Sequence, residues 1–472
     1  MDLLQNFYSI LPIVSISILS IILLLFNAFF SKNVCGRFLI SIYGIGLTFI
    51  FALNQQTDVF LFSDMIRVSY VSKFLLLILL SAAFLSLLIS KNYLEKFSIN
   101  LGEYYTLLIF SLLGAMLIVL ANDFVILFLG IELMSLGFYV LSGFNRKNLF
   151  SNEASLKYFL LGAFATGFLL YGIALVYGAT GTTKISEIIS KLDSLNFVFI
   201  FVIGIALIMI GVGFKIAASP FHMWVPDVYE GSPSSVTIFM ASVGKVAGFA
   251  ALILTIGNLI SNFASSEKIK NVIVFFSIAS MVVGNLIAIS QKSVKRMLAY
   301  SSIAHAGYIL TAFTLSDSFA MNGILFYLFI YVFMTVGSFG IISLLEKNSD
   351  VNFISIENFK GLSKTNPMIA MLMSIFLFSL TGVPPFAGFL GKYYVLSSAV
   401  KAEYTFLVVI GVLTSVIAAF YYLRIVVMMY FQESDEKIQI ENSNSSLFAI
   451  SISAIAIIVF GIFPSVVTSF FR

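Results

Sequence analysis

Four ionisable side chains lie within long apolar stretches of this sequence: Glu132, Lys215, Lys245 and Lys392. In a lipid bilayer each central charge costs on the order of 3 kcal/mol, even on the lenient insertion scale, unless it pairs or faces internal water. Because lysines outnumber the carboxylate, they cannot all be charged and paired at once. Such a row can bind and release protons as neighbouring charges change, so the pattern predicts a proton relay.

Two further residues extend the candidate relay. His305 follows two serines and a tyrosine in the stretch Ala299–His305, and an imidazole can carry a proton in either direction. Lys157 lies about one turn inside its apolar stretch, so its long stem could instead reach the membrane interface. Asp227 and Glu230 follow a proline, and we interpret them as surface groups or groups at an entrance.

The same buried charges have a second interpretation, in which they form structural ion pairs that only fix helix register. Dry and fully paired side chains would favour it. The relay hypothesis instead requires that the candidate residues contact one another or share internal water. The candidates to be located in the structure are Glu132, Lys157, Lys215, Lys245, His305 and Lys392.

The composition identifies the elements that must position these residues. Of the 472 residues, 60% are hydrophobic and 10% are charged, whereas soluble globular chains carry roughly 25% charged residues. The small net charge of +4 is scattered, which argues against nucleic-acid binding. Cys35 is the single cysteine, so an internal disulfide is excluded and no haem-thiolate or iron–sulfur centre is expected. We therefore predict an all-α integral membrane protein.

Apolar stretches bounded by charges and turn residues predict about fourteen transmembrane helices. The first apolar stretch is too long for a signal-peptide core and is interpreted as a retained helix. The predicted spans are 8–29, 36–53, 72–91, 104–121, 123–143, 154–178, 195–217, 234–259, 271–290, 299–316, 320–345, 367–398, 404–430 and 446–469.

The distribution of Lys and Arg predicts the orientation. The odd-numbered loops are richer in basic residues, so by the positive-inside rule they face the cytoplasm and both termini face out. The basic residues of these loops are Lys32, Arg37, Lys91, Lys96, Arg146, Lys147, Lys292, Lys295 and Arg296.

Two predicted spans contain proline breaks, at Pro220 and at Pro384-Pro385. Such breaks free backbone groups inside the membrane and are tolerated where protein or internal water satisfies those groups. Aligning the breaks also brings Tyr139 near Tyr308, which indicates a structural repeat of the kind found in transporters. The predicted division is an N-terminal segment 1–100, repeats 101–260 and 265–431, and a terminal helix 440–472.

Five sequence motifs resemble the antiporter-like subunits of respiratory complex I and their Mrp-type relatives, in order along the chain. They are Phe128–Ser135 (FLGIELMS), Glu153–Phe159 (EASLKYF), Ser219–Gly231 (SPFHMWVPDVYEG) after Lys215, Lys295–His305 (KRMLAYSSIAH) and Gly388–Lys392 (GFLGK). The resemblance implies fourteen helices, with two inverted five-helix repeats that each contain a broken helix. It also implies a hydrated axis of charged residues, joined by half-channels to both sides of the membrane.

Three details favour the subunit N branch of this family. They are the likeness of the stretch around Lys157, a lysine at position 392 where subunit M resembles a glutamate, and an end soon after the last span. The resemblance implies proton translocation across the cell inner (cytoplasmic) membrane, coupled to electron transfer from NADH to quinone. It places NADH, FMN, iron–sulfur clusters and quinone in other subunits, and none of them in this chain.

The same resemblance implies neighbouring antiporter-like and small membrane subunits as partners. Other functions stay open from the sequence. An Mrp-type cation/proton antiporter subunit would share Glu132, Lys215 and Lys245. A membrane-bound hydrogenase or a ferredoxin-fed dehydrogenase could use a similar subunit, and a purely structural membrane subunit is the alternative from another class.

Overall fold

The computed structural model describes residues 2–30, 33–195, 197–257, 259, 266–346, 354–433 and 443–471. The predicted division limits at 260, 265 and 440 lie outside these residues, as does Lys32 of the first loop. The N-terminal part consists of α1 Asp2–Phe29, α2 Val34–Leu53, the antiparallel strands β1 Val59–Leu61 and β2 Ile66–Val68, and α3 Tyr70–Lys96.

Eight helices follow before the first long gap in the described chain. They are α4 Glu103–Leu120, α5 Phe124–Ser142, α6 Leu149–Thr180, α7 Ile185–Ser190, α8 Val198–Lys215, α9 Trp224–Gly231, α10 Ser234–Phe239 and α11 Lys245–Leu252. Two π-helical turns, Met240–Gly244 and Ile253–Gly257, continue α10 and α11 into a single span.

The rest of the described chain is also helical. Its elements are α12 Ser266–Ser290, α13 Val294–Thr311, α14 Ser318–Leu345, α15 Leu362–Thr365, α16 Pro367–Thr381, α17 Ala387–Lys401, α18 Thr405–Phe431, α19 Asn444–Ile462 and α20 Ser465–Thr468. Short 3₁₀ turns occur at Leu192–Ser194, Ala312–Thr314, Ile356–Phe359 and Ser469–Phe471.

The prediction of an all-α integral membrane protein is confirmed. Twelve helical spans in the described residues are long and apolar enough to cross a membrane. Neither α13 nor the two halves α16 and α17 are among the twelve, and the count of fourteen stays a prediction. The small β1–β2 ribbon was not predicted, because three-residue strands are too short to show an alternating pattern.

Two spans form the centre of the helix bundle. Every residue in the apolar window of Ser234–Gly257 is buried, and so is almost every residue in the apolar window of α14. A helix that is apolar on all sides is stable when other helices surround it. The helices α3, α10, α16, α17 and α19 pack around α14. Lys245, in the first of these two spans, is therefore surrounded by other helices.

Close helix pairs position the candidate residues. Helices α4 and α5 form the predicted hairpin, and Asp123 caps α5 by accepting a hydrogen bond from the Val125 N–H at 2.7 Å. A Cβ at Gly114 of α4 would lie 2.4 Å from the Met134 backbone nitrogen. Because small residues let membrane helices approach this closely, α5 is held in a fixed position that aims Glu132.

Both predicted helix breaks are present. Helix α8 ends at Lys215 and the chain resumes as α9 at Trp224, while α16 ends at Thr381 and α17 begins at Ala387. The order hairpin, long helix, broken helix and further span occurs twice along the chain, in α4–α11 and in α12–α18. The division into two repeats stays a prediction.

Candidate functional site

Lys215, the last residue of α8, is buried among side chains of α5. Its side-chain nitrogen, Nζ, donates a hydrogen bond to Ser135 Oγ at 2.7 Å and lies 3.5 Å from the Tyr139 hydroxyl. It also lies 5.7 Å from the centre of the Tyr139 ring, within cation–π range. The ammonium group is therefore held by hydroxyl and ring contacts rather than by a carboxylate.

Lys245 is buried where the first π-helical turn meets α11. Its Nζ donates to the main-chain carbonyl of Ile216 at 2.9 Å and to that of Ser302 at 3.1 Å. Ile216 directly follows Lys215, so Lys245 caps one of the carbonyls that the first helix break leaves free. Single π-helical turns are frequent at functional sites.

Lys392 is the corresponding group at the second break. Its Nζ donates to the Thr381 carbonyl and to Ser415 Oγ, both at 2.8 Å. Thr381 is the last residue of α16, so this lysine also caps a freed helix carbonyl. A cavity of about 490 Å³ lies beside it, and the exposed side chains of Tyr393 and Val416 line the cavity on the outer surface of the bundle.

The two carbonyl contacts share one physical cause. The last turn of a helix carries a partial negative charge, which stabilises a nearby cation by about 0.3–1 kcal/mol and by up to about 2 kcal/mol when partly buried. Lys245 and Lys392 each lie at such a helix end. The breaks therefore offset part of the cost of burying two ammonium groups without an adjacent carboxylate.

His305 lies between these two lysines. Its ring nitrogens contact the hydroxyls of Tyr327, at 2.7 Å from Nδ1, and Tyr422, at 3.4 Å from Nε2. His305 is three residues after Ser302 on α13, and its ring centre is 5.9 Å from that of Tyr308. Lys392 Nζ in turn is 4.7 Å from the Tyr308 ring centre. Buried groups thus connect Lys245 to Lys392.

Glu132 is half-buried on α5, one turn from Ser135. One of its oxygens, Oε1, is buried without a hydrogen-bond partner among the described residues. The carboxylate interacts electrostatically with Lys215, but the two groups form no ion pair within 4.0 Å in the described chain. Glu132 and Lys215 therefore lie near each other with their charges separated, and their role as a switching pair stays a prediction.

Lys157 lies apart from this line. Its ammonium pairs with Asp227 at 2.6 Å and with Glu153 at 2.7 Å, and 41% of its side chain is exposed. Arg296 extends the cluster by contacting Asp227 at 2.6 Å and Glu230 at 3.0 Å. Of the six sequence candidates, Lys215, Lys245, His305 and Lys392 are buried in succession, Glu132 lies half-buried near Lys215, and Lys157 belongs to a half-exposed ion cluster.

The chain is similar to known membrane proteins over most of its length. Residues 121–418 match the family model described as NADH:quinone oxidoreductase/Mrp antiporter, TM. The NADH-quinone oxidoreductase subunit N of Trichlorobacter lovleyi is 43% identical over 470 residues, which cover 98% of this chain and 96% of that protein. The chain belongs to the NADH-quinone oxidoreductase subunit N family.

Other subunit N relatives and solved structures agree with this assignment. The subunit N of Pelagibacter ubique is 39% identical over 98% of this chain and 97% of that protein. A chain of respiratory complex I from Thermus thermophilus with bound aureothin superposes with a TM-score of 0.83 and 29% identity, covering 97% and 98% of the two chains.

A chain of the Mrp complex from Dietzia sp. superposes with a TM-score of 0.81 at 17% identity, covering 99% of this chain and 95% of that chain. At that identity the likeness shows the shared fold alone. The subunit N family and the Mrp chain thus have the same helix arrangement.

Sequence reasoning missed one buried ion pair in this subunit N family member. Lys295, interpreted above as a loop charge, is buried in the first turn of α13 and pairs with Glu346 at 3.1 Å. A signal was present, since Lys295, Ser302 and His305 are spaced by seven and three residues, which places them on one helix face. Glu346, just beyond an apolar stretch, gave no such signal.

Proposed function

We propose that this chain is the proton-translocating membrane subunit N of a NADH-quinone oxidoreductase. The observation that carries the proposal is the succession of closely spaced buried polar groups and aromatic rings from Ser135 and Lys215 to Lys392. Lys215, Lys245 and Lys392 have hydroxyl or carbonyl partners in the described chain, and none of them forms an ion pair there. Such groups can gain and lose protons without breaking a salt bridge.

The proposed relay runs along the line of contacts. Glu132 sets the field at Lys215, Lys215 passes a proton to Lys245 across the first break, and Lys245 passes it through His305 to Lys392. Interaction between neighbouring charges sets the order in which protons move along the line, because two nearby unit charges in an effective dielectric of about 20 interact by a few kcal/mol. Lys157, paired with Asp227, acts at the half-exposed edge of this relay.

The proposal places electron transfer outside this chain. NADH, FMN, iron–sulfur clusters and quinone belong to other subunits of the complex, and the redox reaction acts on the relay through conformation and electrostatics. Exposed apolar faces on α1, α6 and α18 are suited to lipid and to neighbouring membrane subunits. The proposed location is the bacterial inner membrane, with the odd-numbered loops in the cytoplasm and both termini outside.

An Mrp-type cation/proton antiporter subunit is the second candidate function, favoured by the fold that the chain shares with the Mrp complex. The two functions differ in their source of energy. A redox-linked pump moves protons when NADH is oxidised, whereas an antiporter exchanges protons for cations down an existing gradient.

Inverted membrane vesicles should distinguish the two functions. We expect proton uptake on addition of NADH, and loss of that uptake when electron transfer to quinone is inhibited. Sodium or potassium added to vesicles with a preformed pH gradient should leave the gradient unchanged. The measurement is the quenching of a pH-sensitive dye, with vesicles that lack this chain as control. Cation-driven collapse of the gradient that requires this chain, without NADH-driven uptake, would support the antiporter.

Replacing Lys392 tests the far end of the relay. Lys392→Ala should lower the number of protons pumped per NADH about threefold, because the line loses its last ammonium group. Assembly should be retained, since Ser415 still donates to the Thr381 carbonyl at 3.2 Å. Lys401→Ala, on the exposed end of the same helix, is the matched control. An unchanged pumping ratio would remove Lys392 from the relay.

A further inference from the structure

A second buried charged site lies at one membrane face of the bundle, away from Glu132. Lys295 and Glu346 form an ion pair whose side chains are 3% and 8% exposed. Lys295 Nζ also donates to the Ser232 carbonyl at 2.8 Å, and Ser234 Oγ donates to Glu346 Oε1 at 2.6 Å. The site lies where α3 and α14 end together, since Lys96 Nζ contacts the Leu344 carbonyl.

Each charge of this pair is opposed by its own helix. Glu346 is the C-terminal cap of α14, where the partial negative charge of the helix end disfavours a carboxylate. Lys295 is the second residue of α13, where the partial positive charge of the helix start disfavours an ammonium. The two helix ends therefore offset part of the attraction that holds the ion pair together.

Unsatisfied polar atoms extend from this pair into the bundle. Glu346 Oε2, Ser232 Oγ, Ser235 Oγ and Ser302 Oγ are all buried without a hydrogen-bond partner among the described residues. Buried polar atoms of this kind are ordinarily satisfied by internal water. Tyrosine hydroxyls lie close to two of these residues, Tyr93 to Glu346, and Tyr229 and Tyr331 to Ser302.

These atoms lead to the centre of the relay. Ser302 is seven residues beyond Lys295 on the same face of α13, roughly 10 Å along the axis at 1.5 Å per residue. The Ser302 carbonyl accepts the hydrogen bond from Lys245. Arg296, which follows Lys295 on α13, pairs with the carboxylates of Asp227 and Glu230, whose side chains are 30% and 12% exposed.

We propose that Glu346 and Lys295 form a proton-uptake site that loads Lys245 directly from the nearer aqueous face, in parallel with the route from Glu132 and Lys215. A proton from the aqueous phase binds Glu346 Oε2 and neutralises the carboxylate. The unpaired Lys295 ammonium then releases one proton through water and Ser302 to the neutral amine of Lys245. Transfer of the proton from Glu346 to the Lys295 amine restores the ion pair, so one proton has moved inward.

This inference rests on the proposed function, and vesicle pumping tests it. Glu346→Gln should lower proton uptake per NADH oxidised about threefold, because the parallel route remains. Glu346→Asp, which keeps the carboxylate, should retain more of the proton uptake than Glu346→Gln. Glu433→Gln is the matched control, since Glu433 pairs with Lys364 at 2.5 Å on the exposed surface of the bundle. Values are normalised to the content of assembled complex.

A double variant separates proton uptake from a structural role. Replacing both charges with apolar side chains of similar size, as in Lys295→Met with Glu346→Leu, removes the unpaired charge that a single substitution leaves behind. We expect this variant to assemble and still to pump about threefold less than the wild type. Recovery of full pumping would make the pair purely structural and would overturn the inference.

A spectroscopic signature gives an independent readout. Infrared difference spectra of the intact complex during turnover should contain the carbonyl stretch of a buried protonated carboxylic acid, and Glu346→Gln should remove it. Spectra without any band that depends on Glu346 would contradict the inference. Glu132→Gln is measured alongside. If Glu132→Gln impairs pumping and Glu346→Gln does not, only the proposed uptake site is wrong. A wild-type complex that does not pump protons would refute the proposed function itself.

Discussion

Vesicles carrying Glu132→Gln should take up protons during NADH oxidation about threefold more slowly than the wild type, because the amide no longer sets the field at Lys215 while the route from Glu346 to Lys245 remains. The carboxylate supplies the field at Lys215, and an amide of the same shape does not. Turnover linked to quinone should fall in parallel.

Assembly of the Glu132→Gln complex should be nearly normal. Glu132 Oε1 accepts no hydrogen bond in the described chain, and the residue forms no ion pair there, so the substitution breaks no structural contact of that oxygen. Glu132→Asp should retain part of the pumping, and Glu103→Gln, at an exposed position in the first turn of α4, is the control. Normal pumping at normal complex content would favour the interpretation of these charges as structural.

Lys245 provides the second large effect, and here the nature of the substitution matters. Lys245→Arg keeps a positive charge and hydrogen-bond donors near the Ile216 and Ser302 carbonyls, but a guanidinium does not release its proton. We therefore expect Lys245→Arg to pump at less than about one tenth of the wild-type rate, as should Lys245→Gln. Both measurements use NADH-driven uptake in inverted vesicles.

The comparison between these two variants identifies the role of Lys245. If the lysine only neutralised the carbonyls at the break, the arginine would restore pumping while the glutamine would not. Lys364→Arg, on the exposed surface, controls for the substitution itself. Full activity of Lys245→Arg would therefore remove the proton-carrying role and leave an electrostatic one.

Much of this architecture was predictable because membrane physics constrains it strongly. Long apolar stretches must be helical, and prolines within them must break helices, so α8–α9 and α16–α17 could be predicted. Lys215, Lys245 and Lys392 were found for the same reason, since a central charge is costly and rare. The match to subunit N relatives agrees with the motifs that surround them.

The contacts of these residues could not be predicted. The partners of Lys245 are main-chain carbonyls, and a carbonyl has no residue type to recognise in a sequence. Lys157 was placed in the relay because it lies about one turn inside its apolar stretch, yet its ion pair with Asp227 depends on where α9 returns after the break. The π-helical turn before Lys245 left no signal in the apolar pattern.

The capping of the two broken helices by lysine has a consequence for genetics. An ion pair between side chains can be exchanged by two compensating substitutions, as Lys295 and Glu346 allow. At Lys245 and Lys392 the principal acceptor is peptide oxygen, which every amino acid supplies. Covariation among homologues therefore has no partner side chain to detect at the Ile216 and Thr381 carbonyls. These two contacts depend on the backbone geometry of the breaks and not on a matched pair of residues.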